Sequence, residues 1–208
     1  PLAYYRLDDS GANAPDLSGH GRHGSYLGGV AQGVAGALSS DPDLAARFDG
    51  VDDRVSIADD AGFRPARLTL EAWVRVEELK DGGYAYLVGK GRTRTKNASE
   101  LNQNYALRLK GDKGHALASF LFASAADGKR PAGWHRWTTK EGFLPGGWHH
   151  VAVSYAFGKP ETIRGYIDGK KVSGVWDMEG ATDRAPVEDN DDLVIGAGNG
   201  NNPGNALH

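Results

Sequence analysis

Carboxylates are the first side chains to weigh, because cleaving a glycosidic bond takes two of them facing one sugar. The two lie about 5 to 5.5 Å apart for retention and further apart for inversion. On a strand that geometry favours acidic residues two or four positions apart. The acidic residues here sit instead in expected loops (Asp52, Asp53, Asp59, Asp60, Asp189, Asp191, Asp192) or singly on an expected strand, as Glu71 does. The spacing gives no hydrolase pair. His149 and His150 are adjacent on an expected strand, so they point to opposite faces and cannot share a metal or act as a dyad. One is expected to bond to backbone inside the fold and the other to face outward. His20 and His23 flank a glycine, with no third zinc ligand identifiable beside them. The chain has no cysteine, which removes thiol catalysis, zinc–thiolate sites, iron–sulfur clusters and disulfides.

Aromatic rings offer a different chemistry, since they stack on the apolar faces of sugars while nearby polar groups take the hydroxyls. Trp134 and Trp137 stand three apart with His135, Arg136 and Arg130 in a stretch expected to be a polar loop. Trp134, Trp137 and Arg130 are therefore the candidate ligand-binding residues. The other reading makes one of these tryptophans a loop anchor over a sheet, and exposure decides between the two. Trp148 is expected in the core.

The elements that must hold these groups are short strands. Thirty glycines punctuate runs rich in Val, Leu, Ile, Trp and Tyr. Leu68 to Val76 is the clearest, with Leu68, Leu70, Ala72, Val74 and Val76 on a core face and Thr69, Glu71, Trp73 and Arg75 opposite. Trp148 to Tyr155 alternates likewise, and Asp168-Gly169 between two short runs predicts a hairpin. Further strands are expected over Leu2 to Leu7, Ala45 to Phe48, Arg54 to Ile57, Tyr84 to Gly89, Tyr105 to Lys110, His115 to Phe122 and Asp192 to Ile195. Gly11 to Gly29, Lys90 to Asn104 and Ala125 to Gly147 read as long loops. The fold class is all-β, a sandwich or barrel of antiparallel sheets.

At 208 residues and 22.1 kDa the chain makes one domain, residues 1–208, large enough to bury about 70% of its unfolded surface. A net charge of -3 lacks the basic footprint of nucleic-acid binding, and no apolar run is long enough to cross a bilayer. The chain starts at Pro1 with no leader, as a mature chain or a piece of a larger one would. Asn97-Ala98-Ser99 fits a glycosylation acceptor.

Seven segments, in order, carry a resemblance: AYYRLDD (Ala3 to Asp9), DLSGHGRHG (Asp16 to Gly24), FDGVDDRVSI (Phe48 to Ile57), LTLEAWVR (Leu68 to Arg75), GWHHVAVSY (Gly147 to Tyr155), YIDGKKV (Tyr166 to Val172) and LVIGAG (Leu193 to Gly198). The chain resembles the laminin-G-like domains of the concanavalin A-like lectin/glucanase superfamily, bacterial type. The resemblance implies a jelly-roll sandwich of two curved antiparallel sheets. It also implies a C-terminal closing strand, which this chain, ending at Asn205-Ala206-Leu207-His208, is expected to lack. The strand at Leu2 to Leu7 is then left without a neighbour. Glucanases of this superfamily carry Glu-x-Asp-x-x-Glu or Glu-x-Asp-x-Glu on a strand, and nothing here matches.

A structural calcium is implied in such domains, and carried onto this sequence its ligands are Asp9, Asp49 and the Gly50 carbonyl. The alternative has Asp16, Asp49 and Asp53 capping turns through side chain to backbone bonds. The expectation is a non-catalytic module of a secreted, periplasmic or cell-envelope protein. It would bind glycan or protein through loops or a concave sheet face, beside neighbouring domains. The alternatives are a polysaccharide-active enzyme of the same fold and a purely structural interdomain module.

Overall fold

The computed structural model describes residues 1–38, 42–93, 100–198 and 207. Among these lie β1 (Asn13–Ala14), β2 (Gly24–Leu27), β3 (Ala31–Ala35), β4 (Leu44–Arg47), β5 (Arg54–Ile57), β6 (Arg67–Arg75), β7 (Tyr84–Gly91) and β8 (Gln103–Asp112). The second half adds β9 (His115–Ser124), β10 (Gly133–Phe143), β11 (Trp148–Ala156), β12 (Arg164–Ile167), β13 (Lys170–Val172), β14 (Gly174–Met178) and β15 (Leu193–Ile195). The helical segments among the described residues are two single 3-10 turns, Ala61–Phe63 and Pro160–Thr162, and no described helix is long and apolar enough to cross a membrane.

A nine-stranded sheet runs β1-β2-β5-β15-β7-β8-β9-β10-β14, a four-stranded sheet runs β13-β12-β11-β6, and β3 and β4 form a separate ribbon. Every pairing is antiparallel. Period-two alternation builds the sandwich. Leu107, Leu109, Phe120 and Phe122 of the large sheet and Val151, Val153 and Tyr155 of the small one are all buried in one cluster. The Tyr155 ring lies 5.6 Å from Phe120 and 5.8 Å from Phe122, bridging the two layers. On β6 the inward set ends in buried Val74, while Trp73 is 54% exposed, as alternation predicts. The Asp168-Gly169 hairpin forms with φ of 50° and 74°, the paired positive values of a two-residue type I′ turn.

Five expectations are corrected. Leu2 to Leu7 is no strand: Ala3, Tyr5 and Leu7 pack inward against the core, but no ladder forms along them among the described residues. Its main chain is tied instead by Leu17 N–H to the Tyr4 carbonyl and by Tyr4 N–H to Asp16. The expected loop over Gly11 to Gly29 contains β1 and β2, and the one over Lys90 to Asn104 is entered by β7 and β8. The third, Ala125 to Gly147, holds β10, an eleven-residue strand between β9 and β14 of the large sheet. Trp148 pairs with Arg75 on β6 and shares the outward phase of His150, because Val151, Val153 and Tyr155 take the inward phase. It is half-buried on the outer surface rather than in the core. Asn97-Ala98-Ser99, Asn205, Ala206 and His208 lie outside the described residues, and Leu207 donates its N–H to the Gly196 carbonyl at 2.8 Å.

One end of the sandwich is tied by a charge network. Lys90, 0% exposed, donates from Nζ to Asp59 Oδ1 at 2.7 Å and to the Asp191 carbonyl, while Arg64 bonds Asp59 and the Asp189 carbonyl.

Candidate functional site

The tryptophans of β10 do not act together. A strand sends residues three apart to opposite faces, and Trp137, 4% exposed, points into the core. Its ring fills the space over Gly165 and Gly174, where an added Cβ would stand 2.7 Å and 2.2 Å from ring carbons. Trp137 and Trp176 also line a cleft of about 360 Å³, together with Ile163, Val172, Arg164 and Lys171. Trp134 turns to the outer face of the large sheet, half-buried, with the Arg92 guanidinium 5.6 Å from its ring. Arg130 joins neither tryptophan: it ion-pairs with Asp127 at 2.7 Å and Asp183 at 2.8 Å in exposed turns.

Around Trp134 the outer face carries a set of side chains that sequence reasoning missed. The pairing of β10 with β9 and of β9 with β8 puts Trp134, Arg136 and Thr138 in phase with Ser119 and with Arg108 and Lys110. Tyr86 of β7 stands opposite Arg108, and Tyr84 opposite Lys110. Arg108 lies 4.3 Å from the Tyr84 ring centroid and 5.3 Å from that of Tyr86, and Arg136 lies 5.5 Å from Tyr84. Arg108, Ser119, Thr138 and Tyr86 are buried as a floor, while Tyr84, Trp134, Arg136 and Lys110 stand half-buried above them. Asp177 of β14 accepts from Arg136 Nε at 2.7 Å, Lys110 Nζ at 3.2 Å and Thr138 Oγ1 at 3.3 Å. Burial pushes the Asp177 carboxyl up, but the bonds and charges of Arg136 and Lys110 outweigh it and hold the group below its ordinary range. The signal was present in the sequence: Tyr84 and Tyr86, Arg108 and Lys110, Trp134 and Arg136 each stand two apart, the spacing that puts a pair on one face of a strand.

The calcium candidates separate. Asp49 lies with Asp52 and Asp53, one carboxylate oxygen of each within 4.8 Å of the others. Asp9 accepts instead from the Tyr26 hydroxyl at 3.2 Å. Asp49 Oδ1 caps a turn, accepting from the N–H groups of Val51 at 2.8 Å, Asp52 at 3.3 Å and Asp53 at 3.4 Å. Gly50 takes φ of 76° in that turn. Asp53 is 3% exposed; its Oδ2 accepts from Asp49 N–H at 3.0 Å and its Oδ1 has no hydrogen-bond partner. Burial, with Asp49 and Asp52 beside it, raises the Asp53 carboxyl above its ordinary range. Hard cations take six to eight oxygens, and these three carboxylates supply part of such a set.

The histidines follow strand phase. His149 turns inward, its ring 4.2 Å from Phe143 and its Nδ1 2.8 Å from Asp168 Oδ2, a side-chain rather than a backbone partner. His150 turns outward beside Trp73, ring centroids 5.5 Å apart.

Residues 49–207 match the family profile described as the concanavalin A-like lectin/glucanases superfamily, of laminin G type. No curated protein matches the sequence. Among solved structures the chain is similar to the endo-beta-1,4-glucuronan lyase from the fungus Trichoderma reesei, at 12% identity over 88% of this chain and 81% of that one, with a TM-score of 0.48. It is also similar to the Emp47p carbohydrate recognition domain, at 11% identity over 90% of this chain and 93% of that one, with a TM-score of 0.43.

Proposed function

The chain belongs to the concanavalin A-like lectin/glucanases superfamily, and from that premise we propose that it is a non-catalytic saccharide-binding module whose site is the outer face of the nine-stranded sheet. The observation that carries this reading is the set of half-buried rings, Tyr84 and Trp134, beside Arg136 and Lys110. Rings take the apolar face of a sugar, and fixed donors at their edges take its oxygens. The non-catalytic reading is supported by Asp177. A glycosidase acid needs a raised carboxyl pKa, and this one is shifted down and held as a counter-ion. We place the module in a larger secreted, periplasmic or cell-envelope protein, beside neighbouring domains.

A glycan array with the wild type, Tyr84→Ala and Trp134→Ala tests the reading. Binding that both variants lose at unchanged melting temperature supports it. Glycan cleavage, seen as new reducing ends, would replace it with the enzyme reading, and capture of a protein ligand with no glycan bound would replace it with protein recognition.

We further propose a structural calcium at Asp49, Asp52 and Asp53, supported by the unpartnered Asp53 Oδ1. An ion at about one hundred times its dissociation constant stabilises by about 2.7 kcal/mol. Calcium is then expected to raise the melting temperature above that in chelator, and Asp53→Asn to abolish the difference. Equal melting in both would remove the ion.

A further inference from the structure

Arg108 stands on the outer face of β8, in the floor beneath Tyr84, and is 6% exposed. Its Nη2 donates to Ser119 Oγ at 3.3 Å, and its Nε is buried with no hydrogen-bond partner. No carboxylate among the described residues pairs with it. A guanidinium does not shed its proton to escape burial, so the charge persists where water is excluded. The faces of Tyr84 and Tyr86 compensate part of it.

The neighbours add to the imbalance. Arg136 approaches the same Tyr84 ring and donates to its hydroxyl. Two guanidinium groups thus converge on one phenol, and burial together with Arg136 depresses the Arg108 pKa. Arg136 and Lys110 share Asp177, and that carboxylate does not reach Arg108. A guanidinium fork matches the two oxygens of a carboxylate or sulfate, in a geometry that neutral hydroxyls do not reproduce.

Resting on the saccharide-binding reading above, we infer that this site takes anionic saccharides, with a carboxylate or sulfate seated on Arg108 and Arg136 and a sugar ring against Tyr84 or Trp134. The acidic group supplies the counter-ion that the fold withholds from Arg108.

Calorimetric titration of the whole chain with oligogalacturonate, heparin oligosaccharide and a neutral cello-oligosaccharide of equal length tests this. The expected result is at least about tenfold tighter binding of one or both anionic ligands, with the carboxylate and sulfate arms naming the group, as expected for charge-assisted bonds. Arg108→Gln and Arg136→Gln are each expected to reduce that ratio to about two or less, with folding verified by melting. Should Arg108→Gln fail to fold, the less buried Arg136→Gln carries the same readout. Equal affinity for neutral and anionic oligosaccharides, or an anionic preference untouched by Arg136→Gln, overturns the inference and leaves the saccharide-binding reading standing. Absence of binding to all three overturns both.

Discussion

Trp134 and Trp137 illustrate how one backbone state decides what a residue does. In a loop, two rings three apart can line one surface; in β10 they face opposite layers, one over Gly165 and Gly174 and the other beside Arg92. Trp137→Ala is therefore expected to cost about 3–5 kcal/mol, the usual loss for emptying a large buried aromatic. Trp134→Ala, on a half-buried outer position, should cost about 1 kcal/mol or less. Thermal melts of the two variants check the difference, and equal losses would put both rings in the core. Asp16 makes a second residue-scale case. It is 5% exposed, and its carboxylate accepts from Tyr4 N–H, Ser18 N–H and Oγ, and Arg22 N–H. Burial pushes its pKa up, yet these bonds win and hold it well below the ordinary carboxylate range. A depressed folded-state pKa means stability that is present above the unfolded value and lost as pH falls through the folded one. Asp16→Asn should accordingly cost about 2–3 kcal/mol at neutral pH, through donors left unsatisfied. The gap to the wild type should narrow as acid protonates Asp16, and acid titration of both proteins by circular dichroism checks this. A gap constant with pH would assign the loss to packing alone.

At the scale of elements, legibility in the sequence tracked how clean the alternation was. β6 and β11 have one apolar and one polar face, so their phase was readable residue by residue, and the Asp168-Gly169 turn announced itself by composition. β10 was not readable, because its inward set is Gly133, His135, Trp137, Thr139 and, past a register shift that breaks the alternation, Phe143, with two plainly apolar side chains among five. Its polar inward members are satisfied only by partners distant in sequence. His135 Nδ1 donates to the Gly180 carbonyl at 2.9 Å, and Thr139 Oγ1 accepts from Ala118 N–H at 3.0 Å. Tyr84, Arg108 and Arg136 show the same limit for the site: each pair two apart was visible, but strand order alone brings β7, β8 and β10 side by side with β9. The seat of Trp137 yields a prediction about its neighbours. Gly174→Ala on β14 drives a Cβ into the indole at 2.2 Å, and the ring is held by Gly165 on its other flank. Overpacking of this kind costs about 1–3 kcal/mol, or roughly 2–12 °C in melting temperature at this chain length. Gly169→Ala leaves its Cβ in open space, so its loss comes only from positive φ. Differential scanning calorimetry of the two, alone and each combined with Trp137→Phe, separates the causes: the smaller ring should relieve part of the first, whose Cβ also stands 2.7 Å from the Thr138 carbonyl oxygen, and leave the second unchanged.

For the whole molecule, charge runs in two directions. The chain carries a net charge of -3, while the outer face of its large sheet sets Arg108, Lys110 and Arg136 against Asp177. A distant polyanion meets the net charge, and in physiological salt fields are screened beyond about 8 Å, so no long-range steering toward the face is available. Attraction begins only after contact, when water has left the floor beneath Tyr84. Charges exposed at a rim act mainly on association rates, and buried charge pairs act mainly on dissociation. The Arg108 guanidinium, 6% exposed, belongs to the second kind. Arg108→Gln should therefore speed dissociation of a bound anionic oligosaccharide by about tenfold or more while changing the association rate less than about threefold. Raising salt should likewise act chiefly on the association rate of the wild type, and only weakly, because the half-buried Lys110 and Arg136 are already shared with Asp177. Surface plasmon resonance across a salt series resolves the two rates. A variant that associates slowly but dissociates like the wild type would move the recognising charge from the floor to the rim, and would make Lys110 and Arg136, rather than Arg108, the residues that select the ligand.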